Sequence, residues 1–422
     1  MEIFYVFAGL TLLGLIVYGL QIWAVRLTLK SNGVLEYWSN GASNYTNSSN
    51  HCSITPLLHH SHPPVSILKP LKGLDDNLFD NLESFCRQDY PEYEIIFSLE
   101  DYNDPAYKVA SKVRDKYRDK DISIIIARCN AGLNPKVNNL IPAYKSSKYE
   151  LLLISDSNVM VDKNYLKNIV KYMKDPEVGL VSNIIKGVGA RTIGSVFENL
   201  HLNSFIAGSV CFLDRLLGMP CVVGKSMLMR KSDLEAIGGL KAVKDFLAED
   251  YIIGDKMRKR GKKVILSGHM INNVNEYCGL RKFFNRHIRW GKIRWKIGGI
   301  KYFSELIGNP VFMSFLPIIL WEASKVTVSF AMFVSLIKTI GDFHLGRRAG
   351  AKLNLLLYLL SPIKDLIIGL IWFVPIFSNT VVWRGHKYII GKDSALSPCP
   401  ETGILVMEIQ NCGCDKGEDC MT

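Results

Sequence analysis

An α/β domain with a mostly parallel sheet flanked by helices, set between N-terminal and C-terminal transmembrane helices, is the fold class this sequence predicts. Three observations predict it: short apolar runs alternate with amphipathic stretches from Val65 onward, a nearly unbroken apolar segment fills residues 3–24, and long apolar stretches return after residue 310. With 422 residues, 48% of them hydrophobic, the chain has room for one full soluble core plus membrane spans.

Residues 3–24 match the roughly 20 residues that cross a bilayer. The basic residues Arg26 and Lys30 follow this run instead of preceding it, which argues for a retained anchor (1–25) over a cleaved signal and puts its C-terminal flank in the cytosol. Residues 26–64 read as a flexible linker; 40–64 are rich in Asn, Ser and His with three Pro, and hold acceptor patterns at Asn44 and Asn47 that a cytosolic placement leaves unmodified. In the soluble domain (65–276), apolar runs at 65–68, 95–99, 122–127, 151–155 and 178–182 predict strands, and amphipathic stretches at 77–87, 105–118 and 165–174 predict helices. Strands separated by helices of this length imply a parallel sheet, whose ligands bind beyond the carboxyl ends of the strands. Residues 277–309 predict basic interfacial helices. The region 310–383 predicts transmembrane or re-entrant helices, interrupted by Glu322 and Lys325 and again by Pro362, Lys364 and Asp365. A cytosolic-type tail occupies 384–422.

The net charge of +12 concentrates in 256–263 and 281–301, beside apolar segments. That distribution points to a membrane surface and an anionic substrate; without zinc-finger spacing or an RNP-like signature, nucleic acid is excluded as a partner. Ten cysteines are scattered without a paired framework or any Cys-x-x-Cys, including Cys399, Cys412, Cys414 and Cys420 in the tail, which fits a reducing, cytosol-facing domain. No Gly-x-Gly-x-x-Gly follows the first strand, and Gly224-Lys225-Ser226 has Met219 where a phosphate loop needs its first glycine. Dinucleotide oxidoreductase and P-loop readings thereby lose their main support.

Candidate chemistry falls at strand ends. The first strand runs into Lys69-Pro70-Leu71-Lys72-Gly73 and the second into Glu100-Asp101; an acid there suits ribose hydroxyls, and a lysine offsets phosphate charge, although capping of a helix near Asp104 explains the acid equally. Asp156 and Asn158 are two apart, so in an extended segment their oxygens face one side, where a divalent ion or an Asx turn accounts for them. Glu249 and Asp250 open an apolar-periodic helix; dipole complementarity explains acids there, and so does a general base. Lys136, within Asn134-Pro135-Lys136, either holds a nucleotide or begins a helix. The segment 225–230 reads as a strand, either beneath an acceptor site or in ordinary sheet packing. Arg286, Arg289 and Trp290 share a helical face and suit a diphosphate beside an amphipathic acceptor, or anionic headgroups.

In this order, Asp101, Asp156, Asp250 and Arg286-x-x-Arg289-Trp290, joined by Leu68 to Gly73, Asp104-Pro105-Ala106, Asn134-Pro135-Lys136, Leu228-Met229-Arg230-Lys231 and Ala248-Glu249-Asp250-Tyr251, resemble the ceramide glucosyltransferases and the related bacterial lipid glycosyltransferases, including those acting on hopanoids. The likeness runs from about residue 65 to 295 and weakly to Trp383-Arg384. It implies a GT-A (Rossmann-like) fold and inverting transfer of a hexose such as glucose from a UDP-sugar to the hydroxyl of a membrane lipid such as ceramide. By that resemblance Asp101 holds the nucleoside, Asp156 the diphosphate with Mg2+ or Mn2+, and Asp250 is the base. Lys69, Lys136, Arg286 and Arg289 bind the nucleotide sugar, and Glu249 and Trp290 shape the acceptor site. Animal ceramide enzymes carry His-Pro-Arg-Tyr roughly where this chain has 205–209 without a histidine, so the acceptor stays open. Transfer of GlcNAc or another sugar to a hopanoid or other lipid, a processive polysaccharide synthase and a nucleotide-sugar-binding scaffold are the alternatives. The expected location is an integral membrane protein of the Golgi or ER if eukaryotic, or of the inner membrane if bacterial.

Overall fold

Strands β1 (Val65–Pro70), β2 (Tyr93–Leu99) and β4 (Leu151–Ser155) are buried along their whole length, which is why they read as continuous apolar runs. The computed structural model describes residues 2–41, 62–383 and 386–399. β3 (Asp121–Ile126) is half-buried because it lies at the sheet edge. With β5 (Val159–Met160), β6 (Val178–Val188), β7 (Ser226–Arg230) and β8 (Lys263–Val274), the eight-stranded order is β3-β2-β1-β4-β7-β6-β8-β5. One apolar cluster, with Leu82, Phe85 and Tyr165, and a second, with Leu140, Met227 and Ile253, make up the core around this sheet.

Pairings of β1 with β2 and β4, β2 with β3, and β6 with β8 are parallel, as expected. β7 departs from the purely parallel pattern, running antiparallel to both β4 and β6. After β6 the chain makes a helical excursion, Ile193–His201 and Ala207–Leu217 joined by a π turn, and re-enters the sheet from the edge where β4 ends. Ser226 therefore pairs with Ser155, and the residues just before β7 meet those just after β4. The expected helices appear as Leu78–Cys86, Pro105–Lys116 capped by Asp104, and Tyr165–Val170 continued by a 3-10 turn.

The segment expected as an anchor, 1–25, lies in one helix, Glu2–Gly41, which also takes in 26–41, expected as part of a flexible linker; within it Phe4–Lys30 is long and apolar enough to cross a membrane, Lys325–Arg348 and Leu355–Phe377 also qualify, and Leu280–Ile307 with Pro310–Leu320, bent by 74°, adds a fourth if the pair counts as one. The Glu322 and Lys325 interruption is a helix boundary, capped by Ser324. Buried between these helices, Lys338 Nζ lies 2.5 Å from Asp342 and 3.3 Å from Asp365, Lys364 is 2.5 Å from Asp365, and Tyr18 donates to Asp342 at 2.7 Å. Charges at this depth are tolerated only when paired.

Past the last apolar segment the chain does not simply trail off. β9 (Thr380–Trp383), β10 (His386–Ile390) and β11 (Leu396–Pro398) form an antiparallel sheet, so part of the stretch assigned to a tail is folded against the soluble domain. Residues 42–61, with Asn44, Asn47 and Cys52, as well as Arg384 and residues 400–422 with Cys412, Cys414 and Cys420, lie outside the described residues; the six described cysteines are free.

Lys338→Met removes the nearest cation from buried Asp342, leaving it Lys364 at 3.9 Å. The expected loss is about 3–5 kcal/mol, read as a lowered melting temperature of the detergent-solubilised protein, with partial recovery when Asp342→Leu is added; an unchanged melting temperature would show that the pairing contributes nothing.

Candidate active site

Lys69 ends β1 at the point where the sheet order turns from β1 to β4, the crevice where open α/β sheets bind ligands. Its buried ammonium donates to the Asp156 carbonyl at 2.8 Å and to Ser155 Oγ at 3.3 Å and sits 3.7 Å over the Phe85 ring. Burial pulls its pKa down to about 7, against the upward pull of Asp156, so an arriving phosphate would favour its charged form.

Just beyond β4, Asp156 places one carboxylate oxygen 2.8 Å from Lys136 and the other 2.9 Å from Lys225. Burial raises this carboxyl, but the two ammonium groups outweigh it and hold it well below the usual carboxylate range. Lys136 is placed by its helix: Asn134 caps Pro135–Ser146, accepting from the amides of Lys136 and Val137. From that first turn Lys136 also reaches Glu249 at 2.9 Å and the Gly224 carbonyl at 3.1 Å.

Asp250 lies in the first turn of the helix Glu249–Lys259. Its Oδ2 accepts from the Gly224 amide and its Oδ1 from the Tyr251 amide, each at 2.8 Å. Burial, then the neighbouring Glu249, push its pKa up to about 6, in spite of Lys136 and the two amides. A carboxylate with its pKa raised to about 6 is suited to taking a proton. Gly224 is required by space, since a Cβ there would lie 2.6 Å from Asp250 Oδ2.

Lys69, Lys136, Asp156, Glu249 and Asp250 thus form one cluster. Lys225, which sequence reasoning left as part of a strand, belongs to it as well. The signal was the Gly224-Lys225-Ser226 triplet, set aside for failing the phosphate-loop spacing; only its antiparallel entry beside β4 brings Lys225 to Asp156. Asp101 is exposed at the end of β2, accepting the Asn103 amide at 2.8 Å. Glu100 faces a cleft of about 600 Å3 whose wall includes Pro135, one residue from Lys136. Glu100 pairs there with Lys72 at 3.1 Å and Arg128 at 3.7 Å.

The helix Leu280–Gly298 carries the basic motif. Arg286 donates to Glu198 at 2.8 Å and to Asn275 at 3.1 Å, and His287 lies 3.1 Å from the other Glu198 oxygen. Burial would raise Glu198, yet Arg286 and His287 bring it down to about 2. Arg286 is therefore engaged with an internal carboxylate, a partner the sequence did not suggest. Trp290 meets His287 edge-on at 5.3 Å and packs on the same core cluster as Val223, beside Gly224; Arg289 precedes it on the helix.

Among the described residues no group of three or more His, Cys, Asp or Glu converges on a point. Asp156 and Asn158 do converge: the Lys225 ammonium touches both, at 2.9 and 2.7 Å. A cation thus already occupies the place where their oxygens meet. Lys136 holds the other Asp156 oxygen, so a divalent ion here would have to displace Lys225 and draw its remaining ligands from a diphosphate and water.

The profile of Glycosyl transferase family 21 matches residues 10–396. The chain belongs to this family. Ceramide glucosyltransferase 3 of Caenorhabditis elegans is 27% identical over 364 residues, covering 81% of this chain and 77% of that protein. Ceramide glucosyltransferase 1 of the same organism is 32% identical over 233 residues, 55% of this chain and 50% of the relative. Among solved structures, the mannosyltransferase PcManGT from Pyrobaculum calidifontis in complex with GDP-Man and Mn2+ aligns over 86% of this chain and 98% of its own, with 14% identity and a TM-score of 0.44.

Gly224→Ala forces the Asp250 carboxylate of this family 21 transferase from its seat. Transfer is expected to fall about 10²-fold, the usual cost of misplacing a reacting group by an ångström, with the melting temperature nearly unchanged. Initial rates beside thermal melts check this, and a wild-type rate would remove Asp250 from the reaction.

Proposed function

We propose that this family 21 member is a membrane-embedded, inverting glycosyltransferase with a GT-A catalytic domain. It moves a hexose, glucose in the first instance, from a UDP-sugar to the hydroxyl of a membrane lipid such as ceramide. The observation that carries the reading is a carboxylate, Asp250, seated on the Gly224 and Tyr251 amides beside a cluster in which Lys136 and Lys225 meet Asp156 at the carboxyl end of β4. Family membership and the named relatives support a glycosyl transferase; the sugar, the lipid and the stereochemistry are our reading.

In this mechanism Asp250 takes the proton of the lipid hydroxyl as its oxygen attacks the anomeric carbon from the face opposite the nucleotide. The bond to the diphosphate oxygen breaks, and the departing nucleotide carries the electron pair away. Lys69, Lys136 and Lys225 lie where that charge develops, and preorganised cations stabilise it without reorganisation. Asp101 holds the nucleoside, Arg286 and Arg289 border the diphosphate, and Glu249 and Trp290 line the acceptor mouth. Asp156 and Asn158 would hold Mg2+ or Mn2+, which when bound supplies further positive charge to the diphosphate. The catalytic domain faces the cytosol, with 1–25 as its anchor and 310–383 as its C-terminal membrane region.

Purified protein given labelled UDP-hexoses and ceramide is expected to yield labelled glycolipid. Label in a long polymer, or none on lipid with any donor, would overturn the proposal. Asp250→Asn should lower turnover by about 10²- to 10⁴-fold while the protein still folds, the range for a general base.

The pH profile provides a separate check. The base works ionised, so its raised pKa makes the rate climb with pH through about 6 and level off above it. Glu249→Gln removes a negative neighbour that raises this pKa, so the acid limb should move to lower pH. A limb that stays put would show that the limb reports another group.

A further inference from the structure

We infer that the β9–β11 sheet, which follows the last membrane segment, completes the donor site: it forms the outer wall of the nucleoside pocket and clamps the loop that presents Asp250. This deepens the proposed function and rests on it.

Two independent observations carry it. The first is the cleft of about 600 Å3, a volume typical of small-molecule sites, beside the lysine cluster. One wall holds Glu100 at the end of β2 with Asn130 and Asn138 from the segment after β3, and the opposite wall holds His386 and Tyr388 of β10. Residues two apart on a strand share a face: His386 is exposed at the cleft, and Tyr388 lines it while packing in the apolar cluster with Leu247. The exposed imidazole of His386 offers a stacking surface to a flat base, while Glu100 and the Asn130 amide offer partners for ribose hydroxyls and a base edge. This lining suits a nucleoside, and Pro135 within it directly precedes Lys136 of the lysine cluster.

The second is a set of contacts from the turn between β10 and β11, and from the start of β11, to the residues before Glu249. Leu247 donates to the Ser394 carbonyl at 3.0 Å, Leu396 donates to the Asp245 carbonyl at 2.7 Å, and the Ala248 amide donates to Ser394 Oγ at 3.1 Å. Asp393 and Ser394 have φ of 53° and 67°, a left-handed conformation that non-glycine residues keep only when their surroundings fix it. The same sheet is tied to the interfacial helix, where Lys292 donates to the Thr380 carbonyl at 2.5 Å and to Ser378 Oγ at 2.9 Å. Nucleoside contact, base loop and the Trp290 helix therefore share one support.

Full-length protein in detergent tests this, with calorimetric titration of UDP and of inorganic pyrophosphate alongside donor kinetics. His386 is exposed, so His386→Ala keeps the fold; it is expected to weaken UDP about tenfold and leave pyrophosphate unchanged. Ser394, acting as a positioning residue, behaves differently: Ser394→Ala should lower kcat severalfold with the donor KM unchanged, and Ser394→Gly, which relaxes the backbone but also lacks the hydroxyl, should not restore it. Wild-type UDP affinity in His386→Ala, or UDP and pyrophosphate weakened equally, overturns the nucleoside wall. A rise in donor KM without loss of kcat in Ser394→Ala overturns the clamp. Failure of the wild-type protein to bind UDP at all would instead bring down the proposed function, and this inference with it.

Discussion

A single ammonium group, that of Lys136, lies between Asp156 at 2.8 Å and Glu249 at 2.9 Å. Removing carboxylates from water is costly unless a counter-charge is fixed close by. Without Lys136 the Glu249-Asp250 turn and the end of β4 would repel each other across the crevice. With it, one carboxylate is held well below its usual range while its neighbour Asp250 is left near 6. The cation is itself fixed by the Asn134 cap on its helix. The two aspartates part because, against burial, Lys136 and Lys225 pull Asp156 down, while burial and Glu249 raise Asp250, a pattern that separates an electrostatic role from that of a base.

The same logic of compensated burial extends toward the membrane. Glu198 gathers Arg286 and His287, and deeper still Lys338, Asp342, Lys364 and Asp365 pair among themselves. A transferase that joins a soluble donor to a lipid has to keep polar chemistry and an apolar surface in register. The helix Leu280–Gly298 does this here, facing Glu198 through Arg286, the sheet core through Trp290 and the C-terminal sheet through Lys292.

Much of the soluble fold was legible in the sequence. β4 matches its expected bounds, and β1, β2 and β3 differ by a few residues, because strands buried on both faces leave continuous apolar runs. The Asp104 and Asn134 caps were legible as well, since each precedes a proline at the first helical turn. β7 was recognised as strand-like, but its direction was not, because strand polarity depends on where the preceding helical excursion delivers the chain. The C-terminal strands escaped notice for a related reason: they are short, and their apolar face packs on Leu247, far away in sequence.

What the sequence determined by itself was the chemical inventory: the acids and lysines at strand ends, the basic interfacial helix and the apolar spans, all fixed by local composition and period. Tertiary structure decided which charges meet. Antiparallel entry of β7 brought Lys225 to Asp156 and Gly224 to Asp250, Glu198 took up Arg286, and β11 came to rest against the base loop. Ion pairing and close packing act over a few ångströms of space, so no spacing along the chain could announce those partners before the sheet order brought them together.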